Sequence, residues 1–414
     1  MPSILGRRRL ARGAAALAAV GVGACATPPR LAAVPRERTY AATVLGLPNE
    51  RFFFLNDPQP VIAEFAAAQQ RQLARAGVRS IADLPVANLL AVSGGGEDGA
   101  FGAGLLCGWT EQGGRPIFDL VTGVSTGALT APFAFLGSAY DPQLRDVYTN
   151  ITLKDVAVER GILNGMLGDA MADTTPLLTT ISRHLNEAML AALAQAYDQG
   201  RLLLIGTTNL DAQVPVVWNI GAIAKAGVQR GDGRALELVR RILLASAAVP
   251  GAFPPVMIDV EVDGHRYQEM HVDGGAFAQA FLYPTAAGEA RLARGRAREP
   301  VRRMRIYVIR NARLDPDWAS IERRTLGIAG RAIATMIYVS GGNDVLRMYN
   351  RARADGIDFN LAFIGADFTT ESKDPFDQSY MRALFDFGQQ QGRAGGGWVQ
   401  RPPFLDPAAS PAAR

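Results

Sequence analysis

Ser125 stands in Gly123-Val124-Ser125-Thr126-Gly127, a G-x-S-x-G pentapeptide between an apolar run and a segment of helical composition. A serine becomes a useful nucleophile when a sharp strand-to-helix turn holds its Oγ clear, with small residues on either side to let the backbone pass close to its neighbours. Upstream, Gly94-Gly95-Gly96-Glu97-Asp98-Gly99 also follows an apolar run and opens a helical pattern. Such a loop presents backbone N–H groups with no Cβ in the way. Two chemistries fit it. One is an oxyanion hole for acyl transfer, in which each donor is worth ~3–4 kcal/mol. The other is dinucleotide binding, because Gly94, Gly96 and Gly99 match G-x-G-x-x-G and Asp119 follows about twenty residues on. That second site needs its acid at the end of the second strand. Asp119 stands at the start of the 120–124 run, which counts against the dinucleotide.

A serine nucleophile needs a base. Asp273, followed by Gly274 and Gly275 at the end of an apolar run, is one candidate. Histidine is the alternative, and the chain has only His184, His265 and His271. A hydrolase in the order Ser…Asp…His would use Asp211 and then His265 or His271. No HGGG-type loop accompanies them, His265 lies just after a turn, and a single strand histidine is more often structural.

The elements that must position these residues follow from the pattern of apolar runs. Strands are expected over 88–93, 117–124, 201–207, 214–220, 304–310 and 358–364, and a hairpin over 256–262 and 265–272 around Asp263-Gly264. Helices are expected over 61–76, 100–113, 128–136 and 235–248, between the last two strands, and near 376–390. Thr175 and Pro176 read as the N-cap and first residue of one helix running to about 197. The 188–196 and 336–339 stretches read as helix packing faces, and the seven Arg of 291–305 as a solvated loop. Strands alternating with helices give an α/β, three-layer α/β/α fold with a central mixed, mostly parallel sheet.

The whole chain has 414 residues, 48% hydrophobic and 20% charged, which excludes a disordered chain or a coiled coil. Glycine, 44 residues, exceeds the usual ~7% and clusters at 94–104. Arg7, Arg8, Arg9 and Arg12 precede the uncharged 14–24 stretch, which is far shorter than the ~20 residues that span a bilayer. This is the order of a secretory signal. It ends Val22-Gly23-Ala24-Cys25, which resembles a bacterial lipobox, so Cys25 is expected to be the lipidated mature N-terminus. Ala26 after it points to an outer membrane and a periplasm-facing protein. Loss of those four Arg takes the net charge from +4 to 0, leaving nothing to favour nucleic acid as a partner. The expected organisation is a signal peptide (1–24), a lipid-anchored linker (25–50), an N-terminal helical extension (51–87), a catalytic domain (88–290), the C-terminal part of the same α/β domain (291–403) and a loose tail (404–414). Cys107, the other cysteine, reads as a small buried hydrophobe.

GGGxxG, then GxSxG about thirty residues later, then DGG beside a hairpin, together resemble the patatin-like phospholipases. The resemblance runs from Leu89 to Pro284 and includes Ala245-Ser246-Ala247-Ala248-Val249-Pro250-Gly251-Ala252-Phe253-Pro254. The 374–380 stretch is similar to that of bacterial lipoprotein members. The resemblance implies that Ser125 is the nucleophile, Asp273 its dyad partner, Gly123 and Gly127 the elbow, and the Gly94, Gly95, Gly96 and Gly99 loop the oxyanion hole. It further implies a lipid ester as substrate and no metal or organic cofactor. One departure is Asp98, where the family usually carries Arg or Lys, and headgroup preference is the property this touches.

Overall fold

The computed structural model describes residues 29–159, 170–395 and 397–405. The expected signal peptide, Cys25 and the tail from 406 onward lie outside these residues. The first elements are β1 (Arg51–Phe52), α1 (Gln59–Ala76), β2 (Ala87–Val92), α2 (Gly99–Gln112), β3 (Leu120–Gly123), α3 (Thr126–Leu136), α4 (Asp141–Thr149) and α5 (Leu153–Val156). A small ribbon of β4 (Val158–Glu159) and β5 (Ala172–Asp173) leads to α6 (Thr175–His184), α7 (Glu187–Asp198), β6 (Leu202–Asn209), β7 (Val214–Asn219), α8 (Ile220–Arg230) and α9 (Arg234–Ser246). The hairpin β8 (Val256–Val262) and β9 (His265–Asp273) follows. Then come α10 (Thr285–Arg296), β10 (Met304–Arg313), α11 (Thr325–Asp355), β11 (Asp358–Ile364) and α12 (Gln378–Arg393).

The main sheet runs β1-β7-β6-β3-β2-β10-β11, with β9 also on β6 and β8 on β9. The five strands from β6 to β11 are parallel, and β7, β1 and the hairpin join antiparallel. The parallel strands are nearly continuous apolar runs because helices cover both faces. One face packs Phe101, Leu105, Phe135, Ile242 and Phe385 from α2, α3, α9 and α12. The other packs Val61 of α1 and Val345, Met348 and Ala352 of α11. Helices α2 and α12 approach so closely that a Cβ at Gly104 would lie 1.9 Å from Phe385 O, and one at Gly108 2.1 Å from Gln389 O. Part of the high glycine content therefore serves helix contact.

Several expectations need correction. The helix expected over 175–197 is two helices broken at Leu185 and Asn186, because the Asn186 side chain accepts from Met189 N at 3.0 Å and caps α7. Thr175 is not the cap of α6. Its N–H and hydroxyl donate to Asp173 Oδ1, and Thr174 holds the N-cap position. The segment expected as a linker is laid against the domain from Arg30 onward. Arg30 grips Asp211 at 2.7–2.8 Å, Gln268 N donates to Ala32 O, and Thr43 bridges to Glu261. Within the 51–87 extension, β1 joins the sheet and Arg51 makes a buried ion pair with Glu269 of β9 at 2.6 Å. Arg302, expected in a solvated loop, is buried on Asp119. Residues 336–339, expected as a packing face, are open to solvent at Met336, Ile337 and Val339. No described helix is long and apolar enough to cross a membrane.

Candidate active site

Two strands meet head to head on one edge of β6. Strand β3 runs parallel to β6 and ends with Gly123 opposite Ile205. Strand β9 comes from the other direction and ends with Asp273 opposite Thr207. Two residues of β6 span about 7 Å, so the chain leaving β3 and the end of β9 face each other across Gly206. Ser125 and Asp273 are carried into that gap.

The turn at Ser125 is strained, with φ +56° and ψ −129°, a conformation that costs about 1–3 kcal/mol for a non-glycine residue. The surroundings hold it there. Ser246 Oγ accepts from Ser125 N at 3.1 Å and donates to Gly206 O at 2.7 Å. The Ser125 carbonyl accepts from Ala128 N at 2.8 Å, the first turn of α3. Gly127 fits because a Cβ would lie 2.2 Å from Val92 O, and a Cβ at Gly123 would lie 2.5 Å from Gly127 O. The half-buried serine thus stands at a helix N-terminus, as its pentapeptide predicts.

Asp273 is buried, with its N–H on Ala248 O at 2.9 Å and its Oδ1 accepting from Gly275 N at 2.6 Å. The other oxygen, Oδ2, is sealed from solvent and makes no hydrogen bond of ordinary geometry. Burial pushes the carboxyl up to about 6, and the nearby Ser125 hydroxyl and the Gly275 N–H pull it part of the way back. Catalytic hydrogen bonds are often loose before substrate arrives. The Ala245–Pro254 segment thus acts at both partners, through Ser246 on the serine turn and Ala248 on the aspartate.

The glycine loop lies beside the serine. A Cβ on Gly94 would sit 3.1 Å from Ser125 Cβ and 3.8 Å from its Oγ. The sequence reading counts Gly94 and Gly99 as oxyanion donors, but neither amide is free. Gly94 N donates to Gln279 O at 3.0 Å, and Gly99 N to the carbonyls of Glu97 and Gly96. Gly94 is glycine for closeness to the serine, and Gly99 because a Cβ would strike Thr126 Oγ1 at 2.3 Å. The exposed Gly95 and Gly96 amides, together with Thr126 N at the start of α3, carry no hydrogen bond among the described residues. Ser93 and Asn311 brace the loop from below. Ser93 Oγ donates to Gly94 O at 2.7 Å, and Asn311 N and Nδ2 donate to Ser93 at 2.9 and 3.0 Å.

Gln279, Ser246 and Asn311 escape the sequence reading. Gln279 Nε2 donates to Gly275 O at 3.1 Å, its carbonyl holds Gly94, and its own N–H is held by Asp344 Oδ2 at 2.6 Å. It clips the Gly94 and Asp273 turns together. Only its place five residues after Gly274 hints at this.

Other candidates are spoken for. His271 is fully buried, with Nδ1 2.9 Å from Thr207 Oγ1 and Nε2 3.1 Å from Glu269. His265 is exposed against Asp263 O, and His184 lies 3.9 Å from Asp146. Asp211 is tied to Arg30 and Met270 N. Asp119 binds Asn88 N, Gln72 and Arg302 at the opposite end of β3 from the loop, which removes the dinucleotide reading. A cavity of about 240 Å³ lies at that same far end, between Phe65, Leu89, Leu120 and Met304. Asp98, in the place of the family's cation, accepts from Tyr380 Oη at 2.6 Å. Burial and Glu97 raise it to about 6, against the pull of Tyr380, Arg310 and Arg313. Both of these arginines stand on β10.

Residues 90–285 match the family described as Patatin-like phospholipase. The chain carries a patatin-like phospholipase domain. The match begins in β2 and ends just past the DGG turn, so it spans the patatin-like serine turn, glycine loop and aspartate together, and it points to lipid-ester hydrolysis. Two solved structures share a weaker likeness. VipD from Legionella pneumophila is 12% identical, with 78% of this chain and 69% of its own covered, at a TM-score of 0.36. Human GIVD cytosolic phospholipase A2 is 11% identical, with 81% and 54% covered, at 0.26. No curated protein sequence matches the chain.

Proposed function

We propose that this protein is a serine acyl hydrolase acting on membrane lipid esters, of phospholipase A or lysophospholipase type, through a Ser125–Asp273 dyad. The observation that carries this reading is the head-on approach of β3 and β9, which sets a strained serine against a buried carboxyl and two free loop amides. Ser125 Oγ attacks the ester carbonyl carbon while its proton passes to Asp273 Oδ2. The carbonyl oxygen becomes an oxyanion received by Gly95 and Gly96 N–H, with Thr126 N–H as a third donor. The bond to the leaving oxygen then breaks, and Asp273 gives that oxygen its proton. Water, deprotonated in turn by Asp273, attacks the acyl-serine, and as the acyl–Oγ bond breaks Asp273 returns the proton to Ser125 Oγ and the fatty acid leaves.

A carboxylate of pKa near 3.9 is a weak base. Burial of Asp273 strengthens it, and stabilising the oxyanion offsets the remaining deficit. No metal or organic cofactor is needed for these steps. Cys25 would be the lipidated N-terminus, holding the domain on the periplasmic side of an outer membrane. A fluorophosphonate probe tests the core of the proposal. It should label the wild-type chain and fail on Ser125→Ala, and only the wild type should release fatty acid from phospholipid vesicles. Labelling and hydrolysis that survive in Ser125→Ala overturn the assignment.

A further inference from the structure

Helix α11 runs antiparallel to the strands, descending from the catalytic end of the sheet. It passes the level of the site at Gly341 and Asp344. A Cβ at Gly341 would touch Arg310 Nη2 at 2.3 Å, one residue before the Asn311 that packs under Gly95, and Asp344 holds Gln279 N. From Val345 on, the helix is buried on the sheet. Its earlier part, from Thr325 to residue 340, therefore projects past the site for roughly sixteen residues, about 24 Å.

One side of this projection is fastened to its own loop. Arg331 pairs with Asp317 at 3.0 Å, and Tyr338 Oη donates to Leu314 O at 3.0 Å. Another side carries five apolar side chains open to solvent. Ile328, Ile333, Met336, Ile337 and Val339 cover about half the helix circumference at 100° per residue, and Met336 is 70% exposed. At the root of the helix, Trp318 is 87% exposed and Arg323 is exposed beside it, while Arg324 is paired with Glu322 at 3.2 Å.

We infer that this face is a lipid-surface dock that seats the catalytic end of the molecule on a bilayer. The inference deepens the proposed function, since it takes the substrate to be a membrane lipid. The arc is wider than the seam a helical partner uses. It carries no free charge to select a protein, because Arg331 is turned to Asp317. An exposed tryptophan with Arg323 beside it at the root matches an interface with anionic headgroups. A second copy covering this face would stand beside the entrance to the serine, whereas a bilayer covers it and brings the substrate.

The test uses the full chain with Cys25→Ser, so that no anchor contributes, and vesicles of phosphatidylethanolamine and phosphatidylglycerol. Binding is read by co-sedimentation in the Ser125→Ala background, independently of catalysis. Ile333→Glu with Met336→Glu should weaken binding by about tenfold or more, as expected when two side chains of this size are no longer buried. In the active background the same pair should lower vesicle hydrolysis comparably and leave turnover of a soluble short-chain ester within about twofold, which also reports intact folding. Unchanged vesicle binding overturns the dock, as does loss of self-association in place of vesicle binding. If the wild type cleaves no ester but the vesicle effect persists, the dock stands and the catalytic reading falls.

Discussion

Ser125 and Asp273 each hold an unfavourable local state, one a positive φ and the other a buried carboxyl. Ser125→Ala and Asp273→Asn should each abolish nearly all turnover of a soluble ester, and the double variant should be little worse, because residues acting as a unit are not additive. His184→Ala and His265→Ala should keep most activity. A soluble-ester rate that collapses in His265→Ala, with folding intact, would restore a histidine base. The pH profile makes a second prediction. Asp273 must be ionised to accept a proton, so kcat/KM should fall on an acid limb near pH 6. Asp98 has a similar pKa, and Asp98→Asn should leave the limb in place. The same shift acts on stability. A folded pKa of about 6 above the unfolded 3.8 means that the ionised carboxyl costs stability above pH 6, by on the order of 3 kcal/mol, and nothing below 3.8. Asp273→Asn should therefore melt higher than wild type at pH 7–8, with the difference closing towards pH 4. Equal melting temperatures throughout would mean that burial does not burden this group.

At the level of elements, two short segments hold the site in shape. Gly96 has φ +58° and opens into empty space, while a Cβ at Gly95 would lie 2.0 Å from Asn311 O. Gly96→Val should cut turnover by about 10²–10³, the loss of one oxyanion donor, and the strain of a β-branched residue at φ +58° should lower stability by about 1–3 kcal/mol. Activity within tenfold of wild type would release the loop from that role. Ser246→Ala leaves the Ser125 N–H without its partner, at about 1–3 kcal/mol, and should slow fluorophosphonate labelling as well as lower the melting temperature. The parallel strands and the serine and glycine turns are legible in the sequence, because apolar runs stopped by glycine signal them directly. The break at Leu185 and Asn186 hides within one continuous helical pattern, since a mid-helix asparagine reads the same until its cap forms. Gln279 and Asn311 act through residues distant in sequence, and no local pattern marks them. The bare face at 336–339 has the composition of a buried one, and only the fold shows that no described residue covers it.

At the scale of the whole molecule, the segment from Arg30 to Phe52 belongs to the domain. Burial alone would raise Glu269, but Arg51 and His271 hold it down to about 2. Arg51→Met should destabilise by about 3–5 kcal/mol, the cost of stranding a buried charge, as read by denaturant unfolding. A loss below 1 kcal/mol would show that Glu269 is served by His271 alone. If Cys25 is the anchor, Cys25→Ser with the signal retained should free the protein from the membrane fraction after a salt wash. The meeting of β3 and β9 has a temporal consequence as well. The serine and the aspartate are roughly 150 residues apart, and β10, which lies between β2 and β11, comes later still. Contacts of such separation form late in folding. A chain emerging from its N-terminus holds the nucleophile long before it holds the base or the strand that completes the sheet, so the proposed lipid-cleaving site stays incomplete until most of the chain has been made.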